Sequence, residues 1–163
     1  MQEAIRAVVA VRGDASKTTL KQGEGRAMTI SIPAGFGPIF RSSPLLDALG
    51  SFYSKGEGAT LEVGLLVTER HTNSRGTVHG GVLATLADVG IGYLMAYGAD
   101  TPRRMTTASL TIDYTGTAAI GDWIRVEMDA PRVGRRLAFA NARLMTGDKQ
   151  VARASAVFAM AQD

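Results

Sequence analysis

The chain has 163 residues, no cysteine, two histidines and a net charge of +3 from 18 basic and 15 acidic side chains. That is one domain of common size, large enough to bury about 70% of its unfolded surface without covalent staples. Zero cysteine excludes disulfides, thiolate metal sites and a cysteine nucleophile, and two histidines exclude a three-histidine zinc site.

Residues 1–35 differ in texture from the rest and are read as an N-terminal extension to a main domain over 36–163. Ile5, Val8 and Val9 fall at helical spacing, so a short amphipathic helix is expected over 2–12. A polar stretch follows, then an expected strand over 27–32. Pro33, Gly35, Gly37 and Pro38 punctuate the join.

Ser43-Pro44 before Leu45-Leu46-Asp47-Ala48-Leu49 reads as a short helix, with serine as cap, proline at the first position and Gly50 as terminator. A short strand is expected at 51–53 and a turn at 55–58. From 59 the pattern alternates, with Leu61, Val63, Leu65 and Val67 on one face and Thr60 and Glu62 on the other, as in a half-buried strand. A glycine-containing loop over 73–81 leads into a proline-free run, 82–97, that is apolar almost all round. Such a run predicts a helix of roughly 25 Å buried on every face. Four strands complete the chain. The first, 106–114, alternates Ala108, Leu110, Ile112 and Tyr114 against Thr107, Ser109, Thr111 and Asp113; the others are 123–130, 137–145 and 150–160. Short turns between them require antiparallel neighbours. One early helix followed by a run of strands is an α+β arrangement: a curled antiparallel sheet of five to six strands around a long central helix.

Asp88 is the sharpest anomaly, because it lies in the middle of the most apolar helix. Burying an ionised carboxylate costs several kcal/mol unless it is paired or hydrogen-bonded. Either a neighbouring backbone N–H or Thr85 satisfies it, or it points into a cleft or a subunit interface. The second feature is the helix entry, His79-Gly80-Gly81. The first N–H groups of a helix lack intrahelical partners and carry the positive end of its dipole, and glycines permit close approach. The segment is then either a tight turn with a polar cap or a place for an anion or developing oxyanion.

Together Asn73, Gly76, His79, Gly80, Gly81 and Asp88 read N-x5-H-G-G-x6-D. In this motif the sequence resembles the hotdog-fold acyl-CoA thioesterases related to the PaaI-like enzymes and to 4-hydroxybenzoyl-CoA thioesterase. The resemblance spans about 43–160 and includes the Gly56-Glu57-Gly58 turn, the Tyr114 strand with Gly121-Asp122, and the segment Gly134-Arg135-Arg136-Leu137-Ala138-Phe139. Thr115-Gly116-Thr117 replaces the Arg-Pro pair common in that family, a difference of loop geometry.

The resemblance implies hydrolysis of an acyl-CoA to free acid and coenzyme A, without metal or cofactor. Asp88 matches the catalytic carboxylate, acting as general base or nucleophile, and Gly80 the backbone N–H that polarises the carbonyl. Asn73 and His79 match residues that hold the loop and the thioester or water, and Thr107 falls where a hydroxyl can orient the water. It also implies a homodimer with shared active sites, commonly paired into a tetramer. Arg135 and Arg136, with Gly81 at the helix entry, are candidates for contact with coenzyme A; Arg103 and Arg104 form a second pair. Solvated turns are the alternative for both pairs. Met95, Tyr97, Leu83 and Leu86 line an acyl pocket or are plain core. His71 reads as a polar residue at a strand end. Other readings of the same fold are an acyl-thioester dehydratase or hydratase, and a non-enzymatic acyl-CoA sensor.

Fourteen of the basic residues are arginine, which suits bidentate binding of phosphate or carboxylate and follows equally from a GC-rich genome. No long basic run is present and aromatics are 6%, so no nucleic-acid partner is expected. The start, Met1-Gln2-Glu3, lacks a basic region before an apolar core, and no charge-free stretch reaches 18 residues. No membrane partner and a cytoplasmic location are therefore expected.

Overall fold

The computed structural model describes residues 18–19, 29–30, 32–99 and 101–161. The expected helix over 2–12 lies outside the described residues. Of the expected strand over 27–32, the pair β1 (Thr18–Thr19) and β2 (Thr29–Ile30) defines an antiparallel contact apart from the main sheet.

The main sheet has eight strands: β3 (Gly37–Pro38), β4 (Phe52–Lys55), β5 (Glu62–Leu66), β6 (Met105–Tyr114), β7 (Trp123–Met128), β8 (Arg132–Val133), β9 (Leu137–Thr146) and β10 (Lys149–Met160). Their order is β3-β4-β5-β7-β9-β10-β6, with β8 on β9 and every pairing antiparallel. Six strands exceed two residues, as the alternation predicts; β3 and β8 are too short to leave a periodic signal.

Helix α1 (Pro44–Leu49) begins at Ser43, whose hydroxyl accepts from the Leu46 N–H, and stops at Gly50 with φ 65°. Helix α2 (Gly80–Tyr97) lies across the sheet. Its seat is made by small residues: Ala138, Ala140 and Ala142 of β9 and Ala152, Ala154 and Ala156 of β10 are all buried. Methyl-sized side chains let a helix backbone settle close to the strands. Gly90 completes the approach on the β7 side, where an added Cβ would fall 2.6 Å from Val126.

Three expectations need correction. Residues 62–66 are buried on both faces after Glu62, because Phe36, edge-on to Trp123, and the tilted Tyr53 ring form an aromatic cover on the outer side. Gly64 lies directly against the Trp123 indole. Second, α2 is not buried all round. Val82, Leu83, Leu86, Ala87, Gly90, Ile91 and Met95 form one buried stripe, while Asp88, Val89, Gly92, Tyr93 and Ala96 remain partly open. One sheet covers one side of a helix, and the described residues supply no second layer. Third, the alternation of β6 breaks. Ser109 pairs with Val157 and Thr107 with Phe158, so Ala108 is the extra residue of a β-bulge. Thr107 therefore shares the helix-facing side with Leu110 and Ile112, not the opposite one.

Candidate active site

The bulge brings Thr107 to Asp88. The threonine hydroxyl donates to Asp88 Oδ1 at 2.8 Å, joining the middle of α2 to the start of β6. This resolves the anomaly of an acid in an apolar helix: the carboxylate is half-buried, hydrogen-bonded and open to a cleft. Thr85 is not its partner, since that hydroxyl donates to the Gly81 carbonyl. The cleft, of about 550 Å³, lies between the C-terminal half of α2 and β6, and Arg41, Asp88, Tyr93, Tyr97, Arg103 and Thr107 are among its walls.

The entry to α2 is built from the loop before it. Asn73 closes that loop: its Oδ1 accepts from the Arg75 and Thr77 N–H groups and its Nδ2 donates to Thr77 Oγ1. Gly76, at φ 73°, makes the turn. His79 is the N-cap, and its Nδ1 accepts from the Gly81 N–H at 3.0 Å. That bond leaves the proton of the neutral ring on Nε2 and occupies the Gly81 N–H, so Gly81 has no free donor for a ligand. The Gly80 N–H, by contrast, takes no partner among the described residues. Tyr114 donates to the Gly80 carbonyl at 3.0 Å, and a Cβ on Gly80 would sit 3.1 Å from its ring.

Asp88 and Gly80 are eight residues apart on one helix, about 12 Å along the axis. They do not meet in one chain. Asn73, His79, Gly80 and Gly81 form one group at the helix entry, and Asp88 with Thr107 a second. Arg135 and Arg136 join neither. They sit in the exposed turn between β8 and β9, where the Gly134 N–H donates to the Leu137 carbonyl. The Arg136 carbonyl accepts from the Met160 N–H, and the Arg104 carbonyl from the adjacent Ala161 N–H, so both arginine pairs border the same end of β10.

His71 is not a strand-end polar residue but a fully buried one. Its Nδ1 accepts from the Thr68 N–H at 3.0 Å and its Nε2 bonds the Leu49 carbonyl at 2.8 Å. Its own carbonyl accepts from the His79 N–H at 2.8 Å, so it ties α1 to the helix entry. Burial lowers its pKa below the ordinary imidazole value, and the charge of Arg70 pushes the same way. Leu83, Leu86 and Met95 are core, whereas Tyr97 lines the cleft. Sequence reasoning missed Arg41, Gly92 and Tyr93, because nothing in the segment around Arg41 signals that it packs on the end of α2. The Tyr93 hydroxyl donates to the Arg41 carbonyl, and the Arg41 guanidinium to the Tyr97 hydroxyl.

A long helix laid on an antiparallel sheet is the hotdog arrangement. Residues 75–153 match the family model of the Thioesterase superfamily. The chain is 48% identical over 130 residues to the "Putative esterase PA0474" of Pseudomonas aeruginosa, covering 79% of this chain and 97% of that protein. It is 37% identical over 79 residues to the mouse acyl-coenzyme A thioesterase 13, covering 48% of this chain and 55% of that one. Its fold is similar to that of the E. coli PaaI protein from the phenylacetic acid degradation operon, with a TM-score of 0.64, 20% identity, and 74% of this chain and 86% of that chain covered. The chain belongs to the thioesterase superfamily, whose general chemistry is thioester hydrolysis.

Proposed function

We propose that the protein is an acyl-CoA thioesterase whose active site is completed by two copies of the chain. The observation that carries this reading is the separation of the two groups on α2. An attacked carbonyl needs a base and an oxyanion donor each within roughly 3 Å. Groups about 12 Å apart along one helix cannot both reach it. Gly80 of one copy and Asp88 of another can. The edge of β6, unpaired among the described residues, and the partly open apolar side of α2 are the surfaces a second copy would cover.

In this reading the thioester oxygen faces the open Gly80 N–H, a donor worth roughly 3–4 kcal/mol to the developing oxyanion. Asp88 takes a proton from water as the oxygen attacks the carbonyl carbon, and the Thr107 hydroxyl fixes the carboxylate's orientation. Collapse of the tetrahedral species breaks the C–S bond, and the proton passes from Asp88 to the departing thiolate. Asn73 and His79 act indirectly, by holding the loop and the helix entry. Arg135 and Arg136, in the turn between β8 and β9, are the candidates for contact with the phosphates of coenzyme A. A homotetramer is compatible with this reading and follows from the family resemblance.

The test is thiol release over a panel of acyl-CoAs, with sedimentation of the same protein. Hydrolysis by a dimer or larger assembly is expected. Absorbance changes of enoyl substrates without thiol release would replace this reading by a hydratase. Stoichiometric acyl-CoA binding without turnover would replace it by a sensor.

A further inference from the structure

The cleft beside Asp88 has a distinct second end. From Asp88 the floor runs over Val89, Gly92, Ala96 and Phe158, all apolar. It ends at Arg41 and Arg103, with Arg104 also on the wall. Arg41 Nη1 donates to the Tyr97 hydroxyl at 2.6 Å, and Arg103 Nη1 to the Met95 carbonyl at 2.9 Å. Met95 and Tyr97 are seven and nine residues beyond Asp88, about 10 and 13 Å along the axis. Neither guanidinium has a carboxylate within 4.0 Å among the described residues, although Arg125, Arg143 and Arg153 elsewhere in the sheet do. A guanidinium offers five N–H donors in a fixed fork. Each of these shows a single bond, which holds the group in place and leaves most of the fork open.

We infer that this cleft holds the acyl chain and that Arg41 and Arg103 bind an anionic group at its far end, so that acyl thioesters with a second, ω-terminal carboxylate are the favoured substrates. The inference rests on the proposed function for the position of the thioester at Asp88. Val89, Gly92, Ala96 and Phe158 give an acyl chain an apolar surface to cover on its way from Asp88 to the guanidinium groups. An acyl chain about two helical turns long would carry its carboxylate to the guanidinium groups. A purely structural role for the arginines is the rival account. The last turn of α2 has no basic residue of its own, and cations there complement the helix dipole. Phosphates of coenzyme A are a second source of anion.

Binding separates these. The probes are two non-hydrolysable thioethers of coenzyme A, one S-alkyl and one S-(ω-carboxyalkyl) of equal length, and the same pair built on N-acetylcysteamine, which has no phosphate. Calorimetry on the wild-type protein is expected to show the carboxylated member of each pair binding at least tenfold tighter. Arg41→Met and Arg103→Met should each remove most of that preference while leaving the neutral thioether unchanged. Gly92→Leu, which fills the floor, should weaken both members.

Equal affinity of the two members for the wild-type protein overturns the inference without any variant. So does an equal loss for both members in the arginine variants, as helix capping alone requires. A loss confined to the coenzyme A pair assigns the arginines to phosphate and overturns it too. Unchanged affinity in Gly92→Leu places the acyl chain elsewhere. Because these readouts need no turnover, a carboxylate preference in a protein that hydrolyses nothing would sustain the inference and sink only the proposed function.

Discussion

The two sides of α2 are built differently. Toward β7 the helix backbone is pressed against the Val126 side chain. Gly90 leaves no room for a Cβ against Val126. Toward β6 and β10 a Cβ on Gly92 would meet Phe158 at 3.8 Å, an ordinary contact, and beyond it lies the cleft with Asp88. Two glycines two residues apart thus do opposite things: one closes a gap and the other leaves one. The closed side fixes the helix, and the open side keeps a carboxylate accessible.

The largest expected effect is on the open side. Asp88→Asn keeps an acceptor for the Thr107 hydroxyl but removes the proton acceptor, so kcat should fall roughly 10²–10⁴-fold with an unchanged melting temperature. Wild-type turnover of acyl-CoA by this variant would remove Asp88 from the chemistry.

The next largest is at the helix entry, which His71 ties to α1. His71→Ala leaves the Leu49 carbonyl and Thr68 N–H unpaired beside a cavity, a loss of about 3 kcal/mol. The pH dependence has a definite sign. The folded-state pKa of His71 is lowered, so below about pH 6.5 the unfolded chain takes up this proton first. Its contribution is complete above the unfolded pKa and declines as pH falls toward the folded one. Urea midpoints should drop on acidification over that window in the wild type, and His71→Gln should flatten that part of the curve. An identical slope in the variant would assign the acid sensitivity to other groups.

Gly90→Ala follows. The added methyl drives into Val126, and overpacking of this kind costs about 1–3 kcal/mol, more than the helix-propensity gain of ~0.5–1 kcal/mol. Denaturant midpoints measure it, and a stabilised variant would mean that β7 yields easily. Thr107→Val comes next. Removing a hydrogen bond to the carboxylate should cost about 1–2 kcal/mol in transition-state stabilisation, roughly tenfold in kcat. Thr107→Ser should restore most of it. Unaltered kinetics in the valine variant would leave the bulge at Ala108 without a functional consequence.

Much of this was legible in the sequence, for reasons that also mark where legibility ends. Helix α2 announced itself by length, by the absence of proline and by glycines at both ends. Strands β9 and β10 announced themselves by alanines and aliphatics alternating with polar residues. The motif picked out both groups of candidate site residues, and Asp88 stood out by charge alone. The register of β6 was hidden, because alternation continues through Ala108 whether or not a bulge shifts the pairing. Only the bulge turns Thr107 toward the helix. The role of His71 was hidden in the same way, since burial of a histidine depends on α1 closing over it. Arg41 is 47 residues from Asp88 and reaches the cleft only because two tyrosine hydroxyls hold its segment against α2. Letters also cannot separate Gly90 from Gly92, since both are small residues on one apolar helix and only their distance to the next side chain differs.

That difference makes Gly92→Ala the finest test of the two-sided helix. With 3.8 Å to Phe158 the methyl needs no rearrangement, so the helix gains the usual alanine advantage of ~0.5–1 kcal/mol. In a protein of this size the melting temperature should rise by about 2–3 °C. The same methyl enters the cleft floor beyond Asp88 and should raise KM for bulky acyl groups while sparing kcat for short ones. It is the opposite of Gly90→Ala in sign, although the two substitutions are chemically identical and lie half a helical turn apart. If both variants lose stability equally, the β6 side of α2 is as tightly packed as the β7 side, and the cleft would have to open by movement of β6 before a substrate could enter.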